Sequence, residues 1–215
     1  MNSGFKGFDP DKVRISINGV IGAYNDLYTA LCGRMQTQFV NAMADKWACN
    51  QAITFFRNAF KPSIDNLLIN VNNCLGSVVV SMNQAAQAWA ADTQTSYSPI
   101  TVDLNTTKID VECIVENING IRGIDVTLTS EVVSKLQTIV IECNAALDKA
   151  QHAVMDSGFI GGSQAEALTN SLGTIKSKIS ATIEEVSSAA KLAIDNTVAQ
   201  YSDTEGAISQ AFNGQ

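Results

Sequence analysis

Side chains that could carry out chemistry are few in this 215-residue chain, and the most regularly spaced are Asp148, His152 and Asp156. Steps of four place these three on one helix face, where two carboxylates and an imidazole can bind a metal ion. A solvated polar face near a helix end shows the same spacing, and we favour that interpretation. Glu184 and Glu185 are adjacent, so they point about 100° apart on a helix. No third group suggests acid–base catalysis there.

A glycine-rich stretch at residues 158–163 precedes a predicted helix, and a helix N-terminus can hold an anion. No Gly-Lys-Ser/Thr follows, so we interpret the stretch as a plain turn rather than a nucleotide loop. Neither a Ser-His-Asp nor a Cys-His arrangement has a recognisable local signature. The sequence therefore predicts a protein that is not an enzyme, with no cofactor and no metal.

The five cysteines are odd in number and none belongs to a Cys-x-x-Cys pair, which argues against a disulfide framework or a zinc site. Cys32, Cys74 and Cys143 lie on apolar helical stripes, where a free cysteine behaves as a small hydrophobic residue. We expect all three to be unpaired core residues.

Composition narrows the class of protein further. A net charge of −7, with 14 Lys and Arg, argues against binding to nucleic acid and to anionic membranes. The apolar fraction of 46% is ample for a core, and no run of 18 apolar residues predicts a membrane-spanning segment. The first residues lack the apolar stretch of a cleaved signal peptide.

Apolar residues recur at helical spacing in four long stretches, which predict four helices. The first covers residues 9 to about 45, with Asp9 as its cap and Pro10 in its first turn. Glycines interrupt this helix, which indicates either close approach of a neighbouring helix or loose packing (Gly19, Gly22 and Gly33). The second covers about 50–92, and Pro62 is expected to kink it.

The stretch from residue 93 to 126 is different, because its apolar residues alternate (Ile100, Val102, Leu104, Ile109 and Val111). Period two predicts extended backbone or short strands. Thr129 is expected to cap the third helix, which breaks at residues 156–163. The last helix should start near Ser163 and fray beyond Tyr201.

The predicted fold is all-α, with two long antiparallel helical hairpins that form a four-helix bundle. The first hairpin covers 8–95, a partly extended linker 96–123, and the second hairpin 124–212. Trp47-Ala48-Cys49 lies at the first tip and Phe159-Ile160-Gly161 at the second. A large aromatic residue at a tip is expected either to plug the end of the hairpin or to be exposed for recognition.

A long helical hairpin with Trp-x-Gly at its tip resembles the WXG family of small proteins exported by type VII secretion. That family also carries Tyr-x-x-x-Asp/Glu after its second helix, and Tyr201 with Glu205 fits this pattern after the last helix. The tips depart from the family pattern. The first has Trp47 but Cys49 in place of glycine, and the second has Gly161 but Phe159 in place of tryptophan.

The resemblance implies a function as well as a fold. Family members dimerise as antiparallel hairpins, with each tip beside the other's open end, and one chain with two hairpins would imitate that dimer. It would be a non-enzymatic substrate, carrier or adaptor, cytoplasmic before export and then secreted or at the cell surface. Trp47, Tyr201 and Glu205 would form an export signal for a secretion ATPase. Another secreted helical protein is an alternative partner, and further oligomerisation is compatible with this reading.

Two other functions remain open at the level of sequence. One is a structural or interaction protein with no export role. The other, less favoured, is a helical pore-forming protein, for which residues 78–80 and the apolar linker are the membrane candidates, although both are too short to span.

Overall fold

The computed structural model describes residues 7–160 and 164–213, which are mostly helical. Six α-helices were assigned in this part of the chain: α1 Pro10–Tyr28, α2 Asn41–Ala44, α3 Asn50–Phe55, α4 Lys61–Thr93, α5 Leu128–Met155 and α6 Gln164–Asn213. Two π-helical segments, Thr29–Val40 and Phe56–Phe60, join α1 to α2 and α3 to α4 without a break. Four strands of two residues each complete the list: β1 Gly7–Phe8, β2 Trp47–Ala48, β3 Gly123–Ile124 and β4 Phe159–Ile160.

The start of the first helix is as predicted. Pro10 is its first residue, and the Asp9 carboxylate accepts hydrogen bonds from the amides of Asp11 and Lys12, each at 3.1 Å. These bonds satisfy two of the amides that a helix leaves without a partner at its N-terminus. At the same open end of the hairpin, α4 ends at Thr93 because Gln94 turns into the left-handed region with φ of 56°.

The second hairpin differs from the prediction at its start. Helix α5 begins at Leu128, so Thr129 lies inside its first turn rather than at its cap. The preceding turn is closed instead by the Asp125 carboxylate, which accepts from the amide and hydroxyl of Thr127. Helix α6 agrees with the prediction, since it begins at Gln164, next to Ser163, and ends at Asn213, beyond Tyr201.

Pro62 lies in the first turn of α4, directly after the π-helical segment Phe56–Phe60. A π-helical turn bonds residue i to i+5, so its register shift accommodates the amide that proline lacks. The predicted irregularity is therefore present, as a π-helical segment rather than as a simple kink between two α-helical halves.

The helices pack in neighbouring pairs around a continuous apolar core. Helix α1 contacts both α4 and α5, and α6 also contacts both α4 and α5. The core side chains come from the predicted stripes and include Ile17, Leu27, Phe60, Leu136 and Ile183. The chain therefore contains two hairpin-like pairs, α1 with α4 and α5 with α6, which contact each other through α1 with α5 and α4 with α6.

One of the three glycines in the first helical stretch marks a close helix contact. A β-carbon placed on Gly19 would lie 3.0 Å from that of Ala153 in α5, which is closer than methyl groups approach each other. The same position on Gly22 meets nothing within 4 Å, and on Gly33 it meets only Thr29, at 4.0 Å. Close approach therefore explains Gly19 and neither of the others.

Residues 95–122, here called the connector, run back along the first hairpin towards its tip. They lie between α4 on one side and α1 with its π-helical continuation on the other. Successive connector residues contact helix residues that lie successively closer to the tip. Ile100 bonds to Asn83, Asn105 to Asn72, Ile109 to Asp65, and Asp110 to Gln36.

The connector is extended, as its alternating pattern predicts, but within residues 95–122 no strand forms. Helix side chains take the place of a neighbouring strand. The Asn83 side chain both donates to and accepts from the backbone of Ile100, at 2.7 and 3.0 Å. Gln36 does the same for Asp110, at 2.8 and 2.9 Å. Alternate apolar residues then point towards the core, and Ile109 and Val111 are buried.

The five cysteines are free. Cys32, Cys49 and Cys143 are buried, whereas Cys113 in the connector is exposed. Burial raises the pKa of the Cys143 thiol to about 12, so it stays protonated at neutral pH and behaves as an apolar side chain.

Candidate functional site

The first hairpin tip is organised around Trp47, which is only 1% exposed. Its ring stacks against Phe55, with centroids 5.8 Å apart, and meets the edge of Phe56 at 6.1 Å. Of the two alternatives for a tip aromatic, the buried ring agrees with a plug of the hairpin end and not with an exposed recognition residue. The cause is that β2 carries the ring inward, onto the aromatic side chains that begin the return arm.

Strand β2 pairs antiparallel with β3, the strand that leads into the second hairpin. Trp47 lies opposite Ile124, and the amide of Asp125 donates to the carbonyl of Lys46 at 2.8 Å. The Lys46 ammonium also reaches both carboxylate oxygens of Glu131, at 2.7 and 2.9 Å. Hydrogen bonding to Glu131 raises the pKa of the Lys46 ammonium. Hydrogen bonds from Thr127 lower the pKa of the Asp125 carboxyl. The first tip is thus fixed to the start of α5.

The second tip repeats this arrangement at the other end of the hairpins. Strand β4 pairs antiparallel with β1, so Phe159 lies opposite Phe8, and the amide of Asp9 donates to the carbonyl of Gly158 at 3.0 Å. The Phe8 ring stacks on that of Trp89, with centroids 6.5 Å apart. Phe159 is partly buried, and Gly161, the other residue predicted for this tip, lies outside the described residues.

Two short matching segments underlie this arrangement, and sequence reasoning missed them. Gly7-Phe8-Asp9 precedes the first hairpin, and Gly123-Ile124-Asp125 precedes the second. In both, the first two residues form the strand that pairs with the other hairpin's tip, and the aspartate amide bonds to the residue before that tip strand. A glycine, an apolar residue and an aspartate at the start of each helical stretch were the available signal.

The first tip lies beside the last part of α6, where Tyr201 and Glu205 are found. The Gln51 side chain donates to that of Gln200 at 2.5 Å, and α3 contacts α6. This juxtaposition was predicted from the antiparallel arrangement of the hairpins. It brings Trp47 and Tyr201 to the same end of the molecule.

Beyond this contact α6 continues without burying its side chains. Tyr201 is partly buried, whereas residues 202–211, including Glu205, are exposed. The 50 residues of α6 span about 75 Å, against about 42 Å for the 28 residues of α5. From Tyr201 onward the helix therefore exposes side chains on all of its sides. Tyr201 and Glu205 lie on one face of it.

The residues considered for metal binding are engaged in other contacts or are exposed. Asp148 forms an ion pair with Lys176 at 2.6 Å, and His152 is exposed. No group of three potential ligands is close enough to hold a metal ion within residues 7–160 and 164–213. Glu184 and Glu185 are both exposed.

Comparisons with known proteins found no match: no family model, no curated protein and no solved structure resembles this chain significantly. In the described part of the chain, none of the helices combines the length and the apolar character that crossing a membrane requires.

Proposed function

We propose that this protein is a single-chain counterpart of a WXG dimer, a four-helix bundle that acts as a substrate, carrier or adaptor of a type VII secretion system. Tyr201 and Glu205 form the surface that the secretion ATPase binds. Trp47 contributes by packing the first tip, from which α3 contacts α6, since its own ring is buried. The protein is cytoplasmic before export and secreted or surface-exposed afterwards.

The observation that carries this proposal is the exposed continuation of α6 beyond the first tip. A helix that extends past its packing partners usually needs a reason, because its side chains bury no apolar surface there. On this segment Tyr201 and Glu205 lie one turn apart, and Ile208 is half exposed on the same continuation. An aromatic anchor beside a charge and an apolar side chain is the composition of a protein-binding surface.

The cross-pairing of tips and starts supports the dimer-like part of the proposal. Each tip strand pairs with the strand that precedes the other hairpin. Two identical hairpins related by a twofold axis would make this contact twice, with the same surface on both partners. Here one chain makes both contacts with two unlike hairpins.

The experiment that tests the export surface compares secretion of Tyr201→Ala and Glu205→Gln with the parent protein, in the bacterium that encodes it. Both side chains lie outside the buried core, so the variants should melt within about 2 °C of the parent while secretion falls at least tenfold. Asp203→Asn is the matched control, because it removes one carboxylate from the other side of the same helix.

Secretion of both variants at the parent's level would remove the export role from this surface. The second candidate function, a protein-interaction module with no export role, would then be preferred. It is favoured by an open groove between α5 and α6, lined by residues that include Leu136, Val140 and Ile183.

A further inference from the structure

The groove between α1 and α4 is filled by the connector, whereas the corresponding groove between α5 and α6 is open. Counted from the matched residues Asp9 and Asp125, Tyr24 in the first hairpin corresponds to Val140 in the second. Tyr24 is 1% exposed, because the connector lies over it and the amide of Asn105 bonds to its hydroxyl at 2.6 Å. Val140 is only partly buried and lines a groove of about 560 Å³.

The open groove has an apolar floor. Leu136 and Ile183 form part of it, and both are also core residues at 1% exposure. Ile141 stands at its edge and is 68% exposed, which makes it one of the most exposed large apolar residues of the described chain. In the first groove the equivalent space is occupied, because connector side chains such as Val102 and Leu104 pack against the core there.

The rim of the open groove carries both hydrogen-bond donors and hydrogen-bond acceptors. Gln137 and Lys191 can donate, Glu184 can accept, and Ser187 and Ser188 can do either. An extended backbone needs both kinds of partner along its length, because each residue presents an N–H and a carbonyl. Asparagine and glutamine side chains meet this need for the connector in the first groove.

We propose that the groove between α5 and α6 binds an extended segment of a partner protein whose apolar side chains alternate, as those of Ile100, Val102 and Leu104 do. The occupant is identified by what fills the equivalent groove of the same molecule. The apolar side chains of the segment would cover the floor, and its backbone would bond to the rim. This inference does not depend on export, since a protein that binds the segment without being secreted would still satisfy it.

The direct probe is a nine-residue synthetic peptide with the sequence of residues 98–106, added to the full-length protein. A control peptide of the same composition places the isoleucine, valine and leucine side by side. Titration followed by methyl resonances should show saturable shifts at Val140 and Ile141 with the alternating peptide. At least tenfold weaker binding is expected for the control peptide.

A matched pair of variants locates the site. Ile141→Glu places a charge at the groove edge and should weaken peptide binding about tenfold or more. Ile15→Glu changes a residue that is equally exposed, at 70%, but lies outside the groove, so binding should be unchanged. Both substitutions affect exposed side chains, so the fold should remain intact.

Three outcomes would overturn the proposal. The two peptides could bind equally, the two variants could weaken binding equally, or neither peptide could shift the groove methyls. Sedimentation of the free protein tests the other occupant and adds a fourth such outcome. Self-association that Ile141→Glu abolishes would assign the groove to a second copy of this chain and would also overturn the proposal.

Discussion

Trp47 is surrounded by apolar rings, yet its indole N–H has no hydrogen-bond acceptor among the described residues. A buried donor without a partner costs free energy, and the large ring offsets that cost by filling the tip. Phe159, the residue at the equivalent place in the second tip, has no such donor. The difference between the tips suggests that volume, rather than the indole N–H, is what the first tip requires.

Trp47→Phe and Trp47→Ala separate volume from hydrogen bonding. Phenylalanine keeps most of the ring contacts and removes the unpaired donor, so its cost should be about 1–2 kcal/mol. Alanine leaves a cavity and should cost about 3–5 kcal/mol of unfolding free energy. Urea denaturation of both variants measures the difference, and equal losses would contradict this account. Because Trp47→Ala is destabilising, it is a poor test of export by itself.

Gly158 and Gly22 should respond in opposite directions to alanine. Gly158 has φ of 75°, and an added β-carbon would lie 2.7 Å from that of Lys12, so Gly158→Ala should cost about 2 kcal/mol or more. Gly22 lies in open space within a helix, so Gly22→Ala should stabilise the fold by about 0.5–1 kcal/mol. Thermal melts of the two variants check both signs, and a stabilising Gly158→Ala would contradict this account of the tip turn.

Asp125 should contribute stability that depends on pH. Its pKa in the folded protein is lowered, chiefly by hydrogen bonds from Thr127, so the contribution is complete above the ordinary aspartate pKa. It is lost as the pH falls through the lowered folded value. Asp125→Asn should therefore reduce stability at pH 7 more than at pH 2.5. Urea unfolding at the two pH values measures this, and an equal reduction at both would refute it.

At the scale of elements, the periodic signals were informative and the irregular ones were not. Residues 10–44 and 50–93 are helical within one or two residues of the predicted bounds, because long apolar stripes and the Asp9 cap define them locally. Pro62 marks the π-helical segment Phe56–Phe60, but the longer segment Thr29–Val40 has no comparable local signal.

The candidate site was predictable in position but not in exposure. Antiparallel hairpins necessarily bring the first tip to the open end of the second, and this placed Trp47 near Tyr201. Burial of the Trp47 ring depends on β2 pairing with β3, a contact between residues 47 and 124 that is remote in sequence. Two-residue strands are too short to produce an alternating pattern, so this contact could not be read from periodicity.

The hydrogen bonds of the Asn83 side chain should be among the main contacts that hold the connector on α4. It is 8% exposed and makes three hydrogen bonds, two to the backbone of Ile100 and one to the hydroxyl of Tyr97. Asn83→Ala leaves those partly buried groups without their partner and should cost about 1–3 kcal/mol. Local release should also make the connector several times more sensitive to proteases.

Asn70→Ala is the control for this prediction, because the Asn70 side chain bonds only to a carbonyl of its own helix. Limited proteolysis with identification of the cleavage sites would compare the two variants. Cleavage in the connector at the parent's rate in Asn83→Ala would mean that the apolar contacts of the connector hold it without this residue.

At the scale of the whole molecule, the two hairpins are joined by much more than the connector. Contacts of α1 with α5 and of α4 with α6 unite them, as do both strand pairs. A chain divided between residues 122 and 123 should therefore reassemble from its co-expressed halves as a 1:1 complex. Co-purification and light scattering would measure this.

Gly19→Leu and Gly22→Leu provide a matched pair for that experiment. Leucine at Gly19 would collide with Ala153 of the other half and should weaken assembly at least tenfold. Leucine at Gly22 points into open space and should leave assembly unchanged. Halves that stay apart without any substitution would show that the connector, rather than the helix contacts, keeps the hairpins together.

Strand β1 also bears on the order in which the chain can fold during its synthesis. Gly7 and Phe8 are made early, but their partners in β4 follow only at residues 159 and 160. The first hairpin and the connector can assemble before then, with contacts that lie within the first half of the chain. The N-terminal strand must wait for the second tip, so its pairing marks a chain in which α5 is made and the second tip has reached the start of α1.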